Sequence, residues 1–345
     1  MIRTLIVDDS SLVRSIIRDF LESDASFEII GEAENGLEGI NKTRELNPDL
    51  ITMDIDMPVM NGLDAIVQIK NRFNSPVVVI STHDTAKTAY DATVLGAMEF
   101  FAKDIFTSQI TDSRRKEVLN TLKQITGRKR TAVVSSATQA RFAADYPAHV
   151  KSRQIKCIVI AASTGGPIAL CQLFATLPED MEVPILLVQH NTSGFDRGFT
   201  QWINGYTSLD VHLAEAGTIP VKGNIYVAPT DKHLVINERG IAFTDSEPVH
   251  NQKPAADLLF KSAAALYGQS LIGVVLTGMG ADGADGIRSI RKSGGITIAQ
   301  DEASSMIYGM PRAAAETGCV DIVLPLNEIS QKLLALIRET RENEQ

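Results

Sequence analysis

Residues 157–178 read CIVIAASTGGPIALCQLFATLP, an uncharged run of 22 residues whose interpretation decides the architecture. A run of that length is close to what one bilayer-spanning helix needs, about 20 apolar residues. Ser163, Thr164, Gly165, Gly166 and Pro167 interrupt it in the middle. Such a cluster marks a tight turn between a β-branched strand and an apolar-periodic helix. No transmembrane helix is predicted. The run is one strand, turn and helix of an α/β domain.

The same alternation continues toward the C-terminus. PILLVQH (184–190), NIYVAP (224–229), HLVI (233–236), LIGVVLTG (271–278) and ITIAQD (296–301) are further strand candidates. A closing helix is predicted, capped by Asn327, with Ile329, Leu333, Leu336 and Ile337 on its apolar face. Upstream, between Gly127 and Lys156, the periodicity stops, and seven Lys or Arg stand against the single Asp145. A solvated basic linker over 127–154 is expected there. Before it, TLIV (4–7), FEII (27–30), LITM (50–53), PVVVI (76–80) and MEFFA (98–102) alternate with amphipathic stretches. The first of these is a helix that Ser10 or Ser11 can cap, with Leu12, Val13, Ile16, Ile17, Phe20 and Leu21 at helical spacing. Two α/β domains are predicted: a doubly wound five-stranded parallel sheet of order 2-1-3-4-5 over 1–126, and a second parallel-sheet domain over 155–345.

Length and composition agree with that division. The 345 residues (37.4 kDa) suffice for two cores, and 44% hydrophobic with 22% charged residues is ordinary for a folded protein. A formal net charge of −9 argues against a phosphate-tracking surface, so no nucleic-acid partner is expected. Cys157, Cys171 and Cys319 lack metal-ligand spacing and are expected as free thiols in a reducing compartment. The opening MIRTLIVDD is too brief for a signal-peptide core, and the cytoplasm, without membrane insertion, is the expected location.

Asp8 and Asp9 follow the first strand of the N-terminal domain and Asp54 follows the third. In the 2-1-3-4-5 order these strands are neighbours at the switch point, so three carboxylates converge in the crevice beyond their carboxyl ends. Like charges so close call for a cation, and oxygen-only ligands suit Mg2+. One carboxylate could then act as nucleophile on a phosphoryl donor, with Ser81 and Lys103 holding the phosphoryl oxygens from the ends of strands four and five.

On VDDS (7–10), MDIDMPVMNGLD (53–64), Ser81 and Lys103, residues 1–126 resemble the receiver domain of two-component response regulators. The resemblance implies phosphorylation at Asp54. It also implies a metal held by Asp9, Asp54 and the backbone carbonyl of Asp56, with Asp8 acting through water. Phe100 falls where receivers carry a rotating aromatic. Receivers usually have Pro after the lysine, with a cis peptide before it; here Asp104 follows Lys103.

In the second domain, Ser163 stands where a strand turns into a helix, a place that exposes Oγ beside the free N–H groups of the first helical turn. His190 ends the next apolar strand on the same carboxyl edge. Asp282, in the glycine-rich LTGMGADGADG (276–286), follows a third strand, and Asp285 and Asp301 compete with it as the acid. Ser, His and Asp on one sheet edge would support acyl transfer, with the N–H groups of Thr164 and Met279 as an oxyanion hole. The rival is a phosphate cradle, but AASTGGP lacks the G-x-G-x-x-G spacing and no Walker lysine follows.

AASTGGP (161–167), QH (189–190), YVAPTDKH (226–233), LTGMGADGADG and AQDEASSMIYGMPRAA (299–314) resemble the chemotaxis protein-glutamate methylesterases. The receiver, linker and esterase order matches that family along the whole chain. The resemblance implies Ser163, His190 and Asp282 as the triad and demethylation of glutamyl methyl esters on chemotaxis receptors. It also implies deamidation of receptor glutamines, activation by phosphorylation from a chemotaxis histidine kinase, and no cofactor in the catalytic domain. After QH the family usually continues with Met-Pro, whereas this chain reads NTSGFDRGFT, so receptor contacts should differ there. Tyr308 and Met310 are expected to pack rather than to touch substrate. A regulator with a DNA-binding output would need a helix-turn-helix, and none is evident.

Overall fold

The structure, a computed structural model, describes residues 1–82, 86–106, 110–127 and 154–342. The chain divides into two compact units, Met1–Thr131 and Ala132–Gln345. The linker expected over 127–154 lies, apart from its end residues, outside the described residues.

The first unit is built on strands β1 (Ile2–Val7), β2 (Phe27–Ala33), β3 (Leu50–Met53), β4 (Val77–Ser81) and β5 (Glu99–Ala102). They pair in parallel in the predicted order β2-β1-β3-β4-β5. Helices α1 (Ser11–Glu22), α2 (Gly36–Leu46), α3 (Gly62–Arg72), α4 (Ala86–Leu95) and α5 (Asp112–Gly127) connect and follow them. Every residue of β3 and β4 is buried, which explains their unbroken apolar runs: a parallel strand covered on both faces has no polar side to alternate with. Ser10 caps α1 by accepting a hydrogen bond from the Val13 N–H at 3.4 Å. The register puts Val7 beside Met53, so β1 and β3 end together.

The second unit holds a seven-stranded sheet. Its strands are β6 (Cys157–Ala162), β7 (Ile185–Gln189), β8 (Asp210–Leu213), β9 (Asn224–Val227), β12 (Leu271–Val275), β13 (Ile296–Gln300) and β14 (Ile322–Leu324). Their order is β14-β13-β12-β6-β7-β9-β8, all neighbours parallel. Strands β10 (His233–Asn237) and β11 (Gly240–Thr244) form a separate antiparallel hairpin. Helices α6 (Gly166–Phe174), α7 (Asp196–Asn204), α8 (Ala256–Tyr267), α9 (Ala284–Lys292), α10 (Met310–Glu316) and α11 (Leu326–Glu342) complete it. Cys157, Val159 and Ala161 of β6 share one core cluster with Leu259 and Phe260 of α8 and Ile287 of α9. Ile158 and Ile160, which alternate onto the other face, are equally buried, so the central strand is covered on both sides.

One sequence expectation is corrected. Asn327 is inside α11, which starts at Leu326, and is not its cap; the Glu328 N–H reaches the Pro325 carbonyl at 2.9 Å. The apolar face is as predicted, with Ile329, Leu333, Leu336 and Ile337 buried. Strands β8 and β14 have no clear sequence signal, because they are three- or four-residue edge strands with half-exposed or exposed side chains. Among the described residues no helix is long and apolar enough to cross a membrane. All three cysteines are free, with Cys157 and Cys171 buried.

Candidate functional site

In the first unit, the ends of β1, β3 and β5 bring the predicted charged residues together. The Asp54 N–H donates to the Val7 carbonyl at 2.9 Å, which extends the β1–β3 ladder by one rung and sets Asp54 beside Asp8. Lys103 Nζ lies 2.8 Å from Asp54 Oδ2 and 2.8 Å from Asp8 Oδ2. Burial pushes the Asp54 carboxyl up to about 6; the Lys103 hydrogen bond opposes that rise and the Asp8 charge adds to it. Burial would lower the Lys103 ammonium, but its hydrogen bonds to Asp54 and Asp8 outweigh this and hold it above its ordinary value.

Carboxylate oxygens of Asp8, Asp9 and Asp54 lie within 4.8 Å of one another. Three anionic oxygen donors, two of them buried, fit a hard divalent cation such as Mg2+ and lack the nitrogen or sulfur that a structural zinc site uses. The Asp56 side chain is exposed and outside this trio. Ser81, the last residue of β4, is buried. Among the described residues the only cis peptide bond is Lys253–Pro254, so Lys103–Asp104 is trans and Lys103 reaches both acids without a cis bond. Phe100 is buried edge-on against Tyr90, ring centroids 4.8 Å apart.

In the second unit, Ser163 and His190 each stand one residue beyond paired strands. Ala162 is in register with Gln189, and the His190 N–H donates to the Ala162 carbonyl at 3.0 Å. On the other side of β6, the Ser163 N–H donates to the Thr277 carbonyl at 3.0 Å, just past the end of β12. Gly165 takes φ +75°, the left-handed conformation that lets the chain turn from strand into α6. Thr277 braces this turn: its hydroxyl donates to the Thr164 carbonyl at 3.0 Å and accepts from the Ile307 N–H at 2.9 Å.

Asp282 is the acid that meets His190. Its Oδ2 lies 2.8 Å from His190 Nε2, and both side chains are almost wholly buried. The carboxylate also accepts from the Ala256 N–H (2.6 Å), the Asp257 N–H (3.0 Å) and the Gly283 N–H (2.9 Å). Two of these donors belong to the first turn of α8, where free N–H groups favour an anion. Burial alone would push the Asp282 carboxyl up; the His190 hydrogen bond and charge and the α8 N–H donors outweigh it and hold the group below the usual carboxylate range. The competing acids are engaged elsewhere. Asp285 pairs with Arg288, and Asp301 accepts from the Ser304 N–H at 2.9 Å and its hydroxyl at 2.6 Å.

With Nε2 held by the acid, the other ring nitrogen of His190 remains for proton transfer. His190 Nδ1 is buried and has no hydrogen-bond partner among the described residues. This reverses the serine-protease template, in which the acid holds Nδ1. Met310 is fully buried in the core cluster, and Tyr308 bridges to Gly278, so both pack against the turn after β12. Gln189 and Thr277, quoted above only as members of the QH and LTGMGADGADG motifs, and Asp257, which lies outside every quoted motif, join these turns.

Comparison with known proteins gives a consistent picture. Residues 158–333 match the family described as CheB methylesterase, and residues 4–115 match the response regulator receiver domain. A protein-glutamate methylesterase/protein-glutamine glutaminase of Pyrococcus horikoshii is 38% identical, the alignment covering 99% of this chain and 95% of that one. One of the same description from Nitrosospira multiformis is 36% identical, with 99% of each covered. The crystal structure of the Thermotoga maritima CheB methylesterase catalytic domain superposes with a TM-score of 0.51 at 36% identity, covering 53% of this chain and 99% of that one.

Proposed function

The chain belongs to the CheB methylesterase family, with a response regulator receiver domain ahead of the catalytic one, and from that premise we propose that it removes methyl esters from glutamate side chains of chemotaxis receptors by a Ser163–His190–Asp282 acyl-enzyme route. The observation that carries the reading is the 2.8 Å contact of Asp282 with His190 Nε2, which leaves a buried Nδ1 one residue beyond the strand paired to the one that Ser163 follows. Ser163 Oγ attacks the ester carbonyl carbon as His190 Nδ1 takes its proton. Asp282 fixes the imidazole tautomer and stabilises the imidazolium. The oxyanion is received by the N–H groups of Thr164 and Met279. The tetrahedral species collapses, the C–O bond to the methoxy group breaks, and His190 returns the proton so that methanol leaves. Water then attacks the acyl-enzyme with His190 as base, releasing glutamate and restoring the Ser163 hydroxyl. The same cycle on a glutamine side chain releases ammonia, which is the deamidase activity.

Residues 1–126 act as the regulatory unit and 155–345 as the catalytic one. Asp54 receives a phosphoryl group from a chemotaxis histidine kinase, and Ser81 and Lys103 hold its oxygens. Asp9, Asp54 and the Asp56 carbonyl, with Asp8 behind them, would hold Mg2+, which when bound neutralises charge on the transferring phosphoryl group. Phosphorylation raises the esterase rate, and Phe100 repacks with the switch. The expected location is the cytoplasm, and nucleic acid is not a partner.

The test is methanol release from a methylated receptor fragment. Ser163→Ala, His190→Ala and Asp282→Ala should each reduce kcat by several orders of magnitude, and a phosphodonor should stimulate the parent but not Asp54→Asn. Hydrolysis left intact by Ser163→Ala would refute the triad.

A further inference from the structure

Gln189 is the last residue of β7 and is 2% exposed. Its Nε2 donates to the Ser163 carbonyl at 3.1 Å and to the His190 carbonyl at 2.9 Å. The parallel ladder between β6 and β7 has run out at this point: its last main-chain bond is His190 N–H to the Ala162 carbonyl. Beyond that bond the chains separate, one into α6 and the other into the loop that leads to α7. The amide therefore supplies the missing rung, and it ties together the two residues whose side chains must exchange a proton.

The fit is enforced on its far side. A Cβ on Gly166 would lie 2.1 Å from Gln189 Oε1 and 2.9 Å from the Ala162 Cβ. Gly166 has no left-handed φ, unlike Gly165, so its lack of a side chain serves space rather than backbone conformation. The second glycine of STGG and the glutamine of QH thus form one steric unit, although 23 positions separate them in the chain. Gln189 Oε1 is buried with no donor among the described residues. Turning the amide over would set that oxygen against two carbonyl oxygens, so the two N–H bonds fix its orientation.

We propose that Gln189 is a positioning residue for the esterase reaction, holding the main chain of Ser163 against that of His190 so that Oγ can reach the unpartnered Nδ1 when the reaction begins. This rests on the triad reading above. Misplacement of reacting groups by about 1 Å costs on the order of 100-fold in rate, and losing the rung removes a constraint of that scale without touching substrate.

The experiment compares full-length parent, Gln189→Met and Gln189→Glu for methanol release from a methylated receptor fragment, with thermal melts and with the rate of Ser163 labelling by a fluorophosphonate probe. Both variants keep the side-chain length and remove the paired donors. Expected are a fall in kcat of about 10- to 100-fold with KM within about twofold of the parent, a matching fall in labelling rate, and a folded melt in at least one variant. A space-filling role would leave kcat unchanged, so a folded variant within threefold of the parent overturns the proposal. Collapse of the melt in both variants also overturns it, because the amide would then serve the fold alone. Ser163→Ala, run alongside, separates the two readings: if it stays active the triad fails, whereas a silent Ser163→Ala beside an active Gln189→Met removes only the clamp.

Discussion

Gly278 and Ser163 are in contact across the turn that follows β12: a Cβ built on Gly278 would lie 2.8 Å from the Ser163 Cβ and 2.4 Å from Met310 Sδ. The glycine is therefore a condition for seating Ser163. Gly278→Ala should destabilise the catalytic domain by about 1–3 kcal/mol through overpacking, and the displaced Ser163 should lower kcat. Thermal melts and methanol release measure the two effects, and a variant with parental values in both would show that the turn yields without consequence.

Asp282 holds one tautomer of His190. Asp282→Asn keeps the shape but presents either a donor or a neutral acceptor to Nε2, and kcat should fall by about 10,000-fold, as when a triad acid is made neutral elsewhere. Retention of a tenth of the parental kcat would contradict the assignment.

The same carboxylate gives a pH signature. Its folded value lies below the ordinary 3.8, so its charge contributes stability that is fully present above that ordinary value and is lost as pH falls through the lowered folded value. The thermal midpoint of the parent should exceed that of Asp282→Asn at neutral pH, and the gap should narrow once the pH drops below the ordinary value. A gap independent of pH would exclude a charged Asp282 in the folded state.

The Asp8, Asp9 and Asp54 trio should respond to Mg2+ in the absence of any phosphodonor. At a hundredfold excess over Kd, binding to the folded state alone stabilises by about 2.7 kcal/mol, visible as an upward shift of the receiver melt. Asp9→Ala should abolish the shift, and a shift of parental size in that variant would remove Asp9 from the site.

Burial pushes the Cys157 and Cys171 thiols up to about 12. Neither should form thiolate near neutrality, so iodoacetamide should modify them only after denaturation. Mass spectrometry of the native protein at pH 8 checks this, and rapid labelling of Cys157 would mean that β6 opens.

The fold was legible because buried parallel strands are continuous apolar runs, and FEII, LITM, PVVVI and PILLVQH all lie within or across observed strands. Edge strands such as DVHL carry no such signature, since half of their surface faces solvent. The positions of Ser163, His190 and the acids at strand ends were legible for the same reason. Which acid meets His190 was legible from the family resemblance but not from spacing, because the choice depends on the first turn of α8, whose Ala256 and Asp257 N–H groups grip Asp282 from some 25 residues away in sequence. Gln189 reads as an ordinary polar strand end; its two carbonyl partners exist only once β6 and β7 are paired.

The loop after His190 is anchored away from the β6–β7 rung, by Ser193 to Asp231 at 2.5 Å and by the Gly194 N–H to Thr230 at 3.2 Å. Within NTSGFDRGFT only Ser193, Gly194 and Arg197 are exposed, whereas Phe195 and Phe199 are wholly buried, so surface change is confined to those three positions while the ladder beneath is left as it is. Enzymes sharing this sheet could diverge in clientele without ever passing through an inactive ancestor.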